Sequence, residues 1–327
     1  MPRHLDIQMN SFPISGTFAI SRGSKTTAEV VTCTIVENGH SGHGECVPYG
    51  RYGESMESVV AEIKAIRPSI KAGLTRPDLI GAMKPGAARN AVDCALWDLE
   101  SKSTGICVAN RLGIAKPRPL TTAYTISLGE PEEMAAKTRA QAHRPLLKVK
   151  VGTGDDESRI RAVRAAAPDA MIILDANEGW PEEVLVHHLQ IAAEAGVALV
   201  EQPLPAGRDA MLAAIRRPIL VCADESVHHS GDLVALRDRY DAINIKLDKT
   251  GGLTEALAMK QEAQRLGFQI MIGCMVGSSL AMAPAVLLAQ DAEFVDLDGP
   301  LLLARDRDPA LRYEASLVFP PTAALWG

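Results

Sequence analysis

From residue 119 to 300 the hydrophobic pattern repeats. Short apolar runs rich in Val, Ile and Leu occupy 121–127, 146–151, 171–176, 198–201, 219–223, 242–247, 268–272 and 294–298. Between them lie longer amphipathic stretches at 132–142, 157–167, 182–195, 253–266 and 279–289. The first kind predicts buried strands and the second predicts helices. Strands that alternate with helices form a parallel sheet, because parallel neighbours need a crossover between them. A spacing of roughly 25 residues is near what eight βα units require, so closure into a barrel is predicted. The alternative is an open doubly wound sheet. Its dinucleotide fingerprint is missing, since GTGDDE after the second run puts Glu157 where the third glycine belongs.

The first part of the chain reads differently. Strands are predicted near 12–20 and at 28–36, with the polar loop AISRGSKT, which contains Arg22, between them. ENGHSGHGE reads as a turn-rich connection, and 44–55 has too much Gly and Pro for a regular element. Helices are predicted at 58–72 and 85–105, the second with Ala91, Ala95 and Leu99 along one line and a glycine stop.

Composition narrows the classes. The 327 residues are 47% hydrophobic and 23% charged, as in an ordinary soluble globular protein, but only 4% aromatic, so the core is expected to be mostly aliphatic. A net charge of −6 argues against nucleic acid as a partner. The six cysteines include no C-x-x-C pair, which excludes a zinc knuckle or a thioredoxin motif. The N-terminus lacks the apolar region of a signal peptide, and the longest apolar candidate, 280–290, is too short to span a membrane. A cytoplasmic protein with no membrane partner is expected by default. A homo-oligomer is compatible with this composition.

Candidate chemistry lies at the strand ends. In LLKVKVG, Lys148 and Lys150 alternate with Val149 and Val151, which places both lysines on one face of the second strand. In isolation a solvated lysine pair would look the same. The other strands supply partners: Asp175 and Asn177, Glu201, Asp224 with Glu225 beside it, then Asn244, Lys246 and Asp248, and finally Asp296 and Asp298. Singly, an acid at such a position is often a helix cap. Together, Asp175, Glu201 and Asp224 are expected to converge and to need a counter-charge. Oxygen donors without Cys or His suit Mg²⁺ or Mn²⁺.

In an eight-stranded ring the second strand lies opposite the sixth, so Lys150 and Lys246 are expected to face each other across the mouth. Asp296 and Asp298 would face the metal. Such a site suits a substrate with a metal-coordinated oxygen at one end and a cationic group at the other. Removal of a proton beside a carboxylate by one lysine, stabilisation of the enediolate by the metal, and return of a proton by the other lysine would invert one carbon.

K-x-K, D-x-N, E-Q-P, A-D-E-S and K-x-D-K-x-G-G on successive strands resemble the enolase superfamily, muconate-lactonizing subgroup, over nearly the whole chain. The resemblance implies an α/β fold. A modified TIM barrel, (β/α)7β, would occupy 119–300, an α+β capping domain 1–118, and a tail at 301–327 would return to the cap. It also implies Asp175, Glu201 and Asp224 as Mg²⁺ ligands, Lys150 and Lys246 as the two bases, and Lys148 as a helper near the substrate carboxylate. The D-x-D of Asp296 and Asp298 resembles the dipeptide epimerases, in which the pair holds the α-ammonium of a small dipeptide. ISRGS resembles the cap loop of the L-Ala-D/L-Glu epimerases, which implies that Arg22 reads the glutamyl carboxylate. Thr125 and the segment 274–278, with Cys274 and Met275, would line the site. Arg51 and Tyr52 are further cap candidates.

The implied function is a Mg²⁺-dependent epimerase acting on L-Ala-D/L-Glu dipeptides in peptidoglycan recycling. Alternatives are a dipeptide epimerase of other side-chain specificity, an N-acylamino acid racemase, an o-succinylbenzoate synthase or a cycloisomerase. A non-catalytic binding barrel has no use for two opposed lysines. A pyridoxal enzyme with Lys246 as Schiff base sits badly with the carboxylate triad and the missing phosphate loop. The histidine pairs His187–His188 and His228–His229 read as structural or solvated.

Overall fold

The computed structural model describes residues 2–327. Strands β1 (His4–Ile20), β2 (Gly23–Glu37) and β3 (His40–Cys46) form an antiparallel sheet. β1 and β2 are one long hairpin turning on Ser21 and Arg22, with Ile20 opposite Gly23 and Phe18 opposite Lys25. The segment predicted as an open polar loop is thus mostly strand, because cross-strand pairing continues to the tip. HSGHGEC, predicted as a connection, is β3. Its glycines serve close packing instead of a turn: a Cβ on Gly42 would lie 2.1 Å from Ala95 O, and one on Gly44 would lie 2.1 Å from Ala91 O. The helix Ala87–Thr104 therefore rests its Ala91–Ala95–Leu99 line directly on the sheet backbone.

After β4 (Leu120–Thr121), eight parallel strands follow in sequence order: β5 (Tyr124–Ile126), β6 (Leu146–Lys150), β7 (Met171–Asp175), β8 (Leu199–Glu201), β9 (Leu220–Ala223), β10 (Ala242–Ile245), β11 (Gln269–Ile272) and β12 (Phe294–Val295). Ala123 N donates to Val295 O at 2.8 Å and brings the last strand back to the first. The fold is the modified barrel of alternating strands and helices with an antiparallel cap. Two connections hold only short helical turns, Met211–Ala214 and Leu233–Leu236. Four residues are too few to show a helical period, so the sequence pattern passes over them.

The barrel interior is packed at its base by Leu146, Ile173, Leu199, Cys222, Ala242, Met271 and Phe294. Val149, Val151 and their counterparts face the surrounding helices. The strand ends are left as the polar region, at the face where barrel chemistry gathers.

Buried polar contacts weld the cap to this face. Glu45 on β3 accepts Ser278 N at 2.8 Å, Ser278 Oγ at 2.6 Å and Arg307 Nη2 at 2.6 Å. Asp248 was predicted to share a strand face with Lys246. β10 instead ends at Ile245, and Leu247–Thr250 is a helical turn. That rotation sends Asp248 to the cap, where Oδ1 accepts Val47 N at 3.0 Å and Asn90 Nδ2 at 2.8 Å. The C-terminal segment adds β13 (Tyr313–Glu314) and β14 (Leu317–Val318), the latter paired with β4. It ends against the helix Ala87–Thr104, with Trp326 Nε1 donating to Cys94 O at 3.0 Å. Among the described residues no helix is long and apolar enough to cross a membrane.

Candidate active site

A cavity of about 430 Å³ lies between the barrel mouth and the cap. The barrel contributes Lys150, Asn177, Asp224, Glu225, Lys246, Cys274 and Met275 to its walls, and the cap contributes Phe18, Arg22, Lys25, Tyr49, Arg51 and Tyr52. Lys150 from β6 and Lys246 just after β10 therefore face one space from strands four apart in the sheet order.

The other predicted residues lie outside this wall. Lys148 is buried, with Nζ 3.0 Å from Asp175 Oδ2, 2.7 Å from Glu201 Oε2 and 2.7 Å from Asp296 Oδ2. Thr125 lines a separate cavity of about 330 Å³. Its N–H donates to Asp298 Oδ2 at 2.7 Å, so its contact with the site is to fix that carboxyl.

Local structure holds each group in place. Asp175 Oδ1 accepts Asn177 N at 3.0 Å, and Lys150 Nζ donates to Asp175 Oδ2 at 2.6 Å and Asn177 Oδ1 at 3.1 Å. Asn177, Glu178 and Gln202 adopt left-handed φ of 43°, 66° and 35°. Such backbone is uncommon away from glycine and clusters at functional sites. Gln202 earns its place in E-Q-P by accepting Asp224 N at 2.9 Å and Ser226 N at 3.0 Å, which fixes the end of β9. Asp224 is gripped by Lys246 at 2.7 Å and by Lys249 at 2.6 Å.

Electrostatics in this buried cluster is strongly biased. Burial disfavours the Lys148 ammonium, but Asp175, Asp296 and Glu201 outweigh it and hold Lys148 well above the ordinary lysine value. Burial likewise opposes the Lys246 charge, and Asp224 and Glu201 overcome it. Among the acids, Glu201 is pushed up to about 7 by burial and then by the charge of Asp175. Asp298 is pushed up to about 7 by burial and then by Asp296.

The three predicted metal ligands do not stand as a ready-made trio: among the described residues no such cluster forms, and Lys148 bridges Asp175 and Glu201. The donor chemistry nonetheless fits a hard divalent cation. All the donors of Asp175, Glu201 and Asp224 are carboxylate oxygens, and a buried one, Glu201 Oε2, has no hydrogen-bond partner. Glu201 Oε2 is near Lys148 Nζ but off the line of a hydrogen bond.

Sequence reasoning missed Lys25, Phe18, Lys249 and the tie between Glu225 and Arg22. Lys249 stands in the K-x-D-K motif itself. Lys25 was obscured by reading its segment as a loop, whereas the strand period of the hairpin puts it on the face of Phe18.

Two family models match the chain: the mandelate racemase / muconate lactonizing enzyme N-terminal domain over 5–113 and the enolase C-terminal domain-like model over 131–312. The chain belongs to the mandelate racemase / muconate lactonizing enzyme family. Within this family it is 47% identical to an L-Ala-D/L-Glu epimerase of Escherichia coli (strain K12), over 95% of this chain and 98% of that protein. It is 43% identical to an N-acetyl-D-glutamate racemase of a Pseudoalteromonas species, over 91% and 95%. Among solved structures, an enolase family member from Agrobacterium tumefaciens with homology to dipeptide epimerases, holding sodium and L-Ala-L-Glu, is 63% identical with a TM-score of 0.99 over 100% of both chains. A dipeptide epimerase from Enterococcus faecalis complexed with Mg and L-Leu-L-Tyr is 29% identical with a TM-score of 0.90 over 98% of both chains.

Proposed function

We propose that this protein is a Mg²⁺-dependent dipeptide epimerase that inverts the Glu α-carbon of L-Ala-D/L-Glu. The observation that carries the reading is the pair Lys150 and Lys246, which reach one cavity from separated strands with Asp224 in the same wall. A carbon placed between them can lose a proton to one lysine and regain one from the other on the opposite face. Asp175, Glu201 and Asp224 would hold the metal, and a divalent cation there supplies charge that stabilises the negative charge developing on the substrate carboxylate. Lys148, anchored among Asp175, Glu201 and Asp296, adds a fixed positive charge to the same region. Asp296 and Asp298 would receive the substrate ammonium, with Thr125 N–H orienting Asp298.

The relatives compared above support the glutamyl dipeptide: one is an L-Ala-D/L-Glu epimerase, and one solved neighbour holds L-Ala-L-Glu. The second reading is racemisation of an N-acyl glutamate, favoured by the Pseudoalteromonas relative. Asp298 weighs against it: among the described residues this buried acid has no ion pair, and an N-acyl group brings no cation to it. The same reading carries a cytoplasmic role in recycling cell-wall peptides. The test is incubation with Mg²⁺ and L-Ala-L-Glu in D₂O, following the Glu α-proton by NMR. Exchange with appearance of L-Ala-D-Glu supports the function. No exchange with L-Ala-L-Glu or any of a panel of dipeptides refutes it.

A further inference from the structure

Three cap cations reach the cavity, and two are already paired. Arg22 Nη1 donates to Asn177 O at 2.6 Å and Glu178 Oε2 at 3.1 Å, while Nη2 donates to Tyr49 Oη at 3.0 Å and Glu225 Oε1 at 2.7 Å. Arg51 grips Glu178 through two bonds of 2.8 Å. Lys25 differs. Among the described residues its side chain forms no ion pair and no hydrogen bond, and the face of Phe18 lies 5.8 Å from Nζ to the ring centroid.

Phe18 and Lys25 are directly opposite in the β1–β2 ladder, so they share the face that roofs the cavity. Lys150 approaches the same ring to 5.6 Å. Burial, and the positive charge of Lys150, press the Lys25 ammonium below its ordinary value, with Cys274 opposing them. An ammonium drawn partly out of water without a counter-charge costs free energy that an incoming carboxylate offsets.

We infer that Lys25 receives the side-chain carboxylate of the substrate's second residue, and that Arg22 is a strut holding the hairpin tip on Asn177, Glu178 and Glu225. The inference rests on the dipeptide epimerase reading and deepens it. An anionic side chain beneath the hairpin meets an unpaired cation at Lys25. At Arg22 it meets a guanidinium whose Nη hydrogens are all donated. A cationic side chain is repelled, and an apolar one leaves the ammonium without a partner.

The test compares kcat/KM for L-Ala-L-Glu with that for the neutral isostere L-Ala-L-Gln. In Lys25→Met the Glu-to-Gln ratio is expected to fall about 10- to 100-fold, as for loss of a charge-assisted hydrogen bond. Lys25→Arg restores most of it, and matched melting temperatures exclude a folding defect. If Lys25→Met misfolds, Lys25→Gln serves in its place. An unchanged ratio, with both substrates losing equally, overturns the assignment and leaves the epimerase reading intact. So does a ratio that collapses in Arg22→Met but not in Lys25→Met. A wild-type protein that turns over neutral dipeptides and not L-Ala-L-Glu overturns the glutamyl specificity and the Lys25 assignment with it.

Discussion

Lys148 Nζ stands 2.7 Å from Asp296 Oδ2 and ties the second barrel strand to the eighth beneath the cavity. Lys148 thereby joins Asp175 and Glu201, the proposed metal acids, to Asp296, a proposed partner of the substrate ammonium, within one buried cluster. Asp296→Asn removes a charge from a buried cluster without changing its shape. kcat/KM for L-Ala-L-Glu is expected to fall about 100-fold or more, with a smaller loss for N-acetyl-L-glutamate, which carries no ammonium. Steady-state kinetics on both substrates checks this. Equal losses would contradict the ammonium role.

The proposed all-oxygen donor set of Asp175, Glu201 and Asp224 implies metal dependence. Chelation followed by dialysis is expected to abolish turnover, and Mg²⁺ or Mn²⁺ should each restore it. Asp224→Asn should not recover at any Mg²⁺ concentration, because the substitution also loosens the grip of Lys246 and Lys249 on that position. Full turnover after exhaustive chelation would count against the assignment.

The contact between β3 and the helix Ala87–Thr104 leaves no room for a methyl group. Gly44→Ala would place Cβ 2.1 Å from Ala91 O and 2.8 Å from Ala95 N, both backbone atoms. Destabilisation of roughly 3 kcal/mol or more is expected, as for severe overpacking. Gly81 lies in the helix Arg76–Ala82 with nothing within 4 Å of its added Cβ. Gly81→Ala is therefore expected to stabilise by about 0.5–1 kcal/mol. Denaturant melts of the two variants distinguish packing from propensity.

The cap–barrel junction has a pH dependence of its own. Burial raises the Asp248 carboxyl from 3.8 to about 7. The folded protein thus holds that proton more tightly than the unfolded chain. The contribution of Asp248 to stability is largest below pH 3.8, falls as the pH rises toward about 7, and is level above that. Asp248→Asn keeps an oxygen for Val47 and Asn90 but cannot ionise. Its stability relative to wild type should improve by roughly 1–4 kcal/mol between pH 4 and pH 8. Parallel denaturant titrations measure this difference, and a flat difference would contradict it.

Much of the barrel is legible in the sequence because its strands are buried runs separated by amphipathic helices, and both periods are local. The strand-end acids and lysines are legible for the same reason: a polar residue interrupting a buried run needs a partner. What escapes depends on distant packing. Gly42 and Gly44 look like turn residues until the helix Ala87–Thr104 is laid on them. Asp248 follows the strand period on paper, but the backbone turns helical one residue after Lys246. Glu225 claims Arg22 across a separation of 203 positions, and no local pattern announces that pairing. Lys25 becomes visible only once the hairpin is known to run to its tip.

The central claim is that Lys150 and Lys246 act from opposite faces of one carbon. Lys150→Ala and Lys246→Ala, each incubated with Mg²⁺ and L-Ala-L-Glu in D₂O, measure it most directly by NMR of the Glu α-position. Neither variant should form detectable L-Ala-D-Glu under conditions in which the wild type reaches equilibrium. Epimerisation retained in either one would contradict the two-base account.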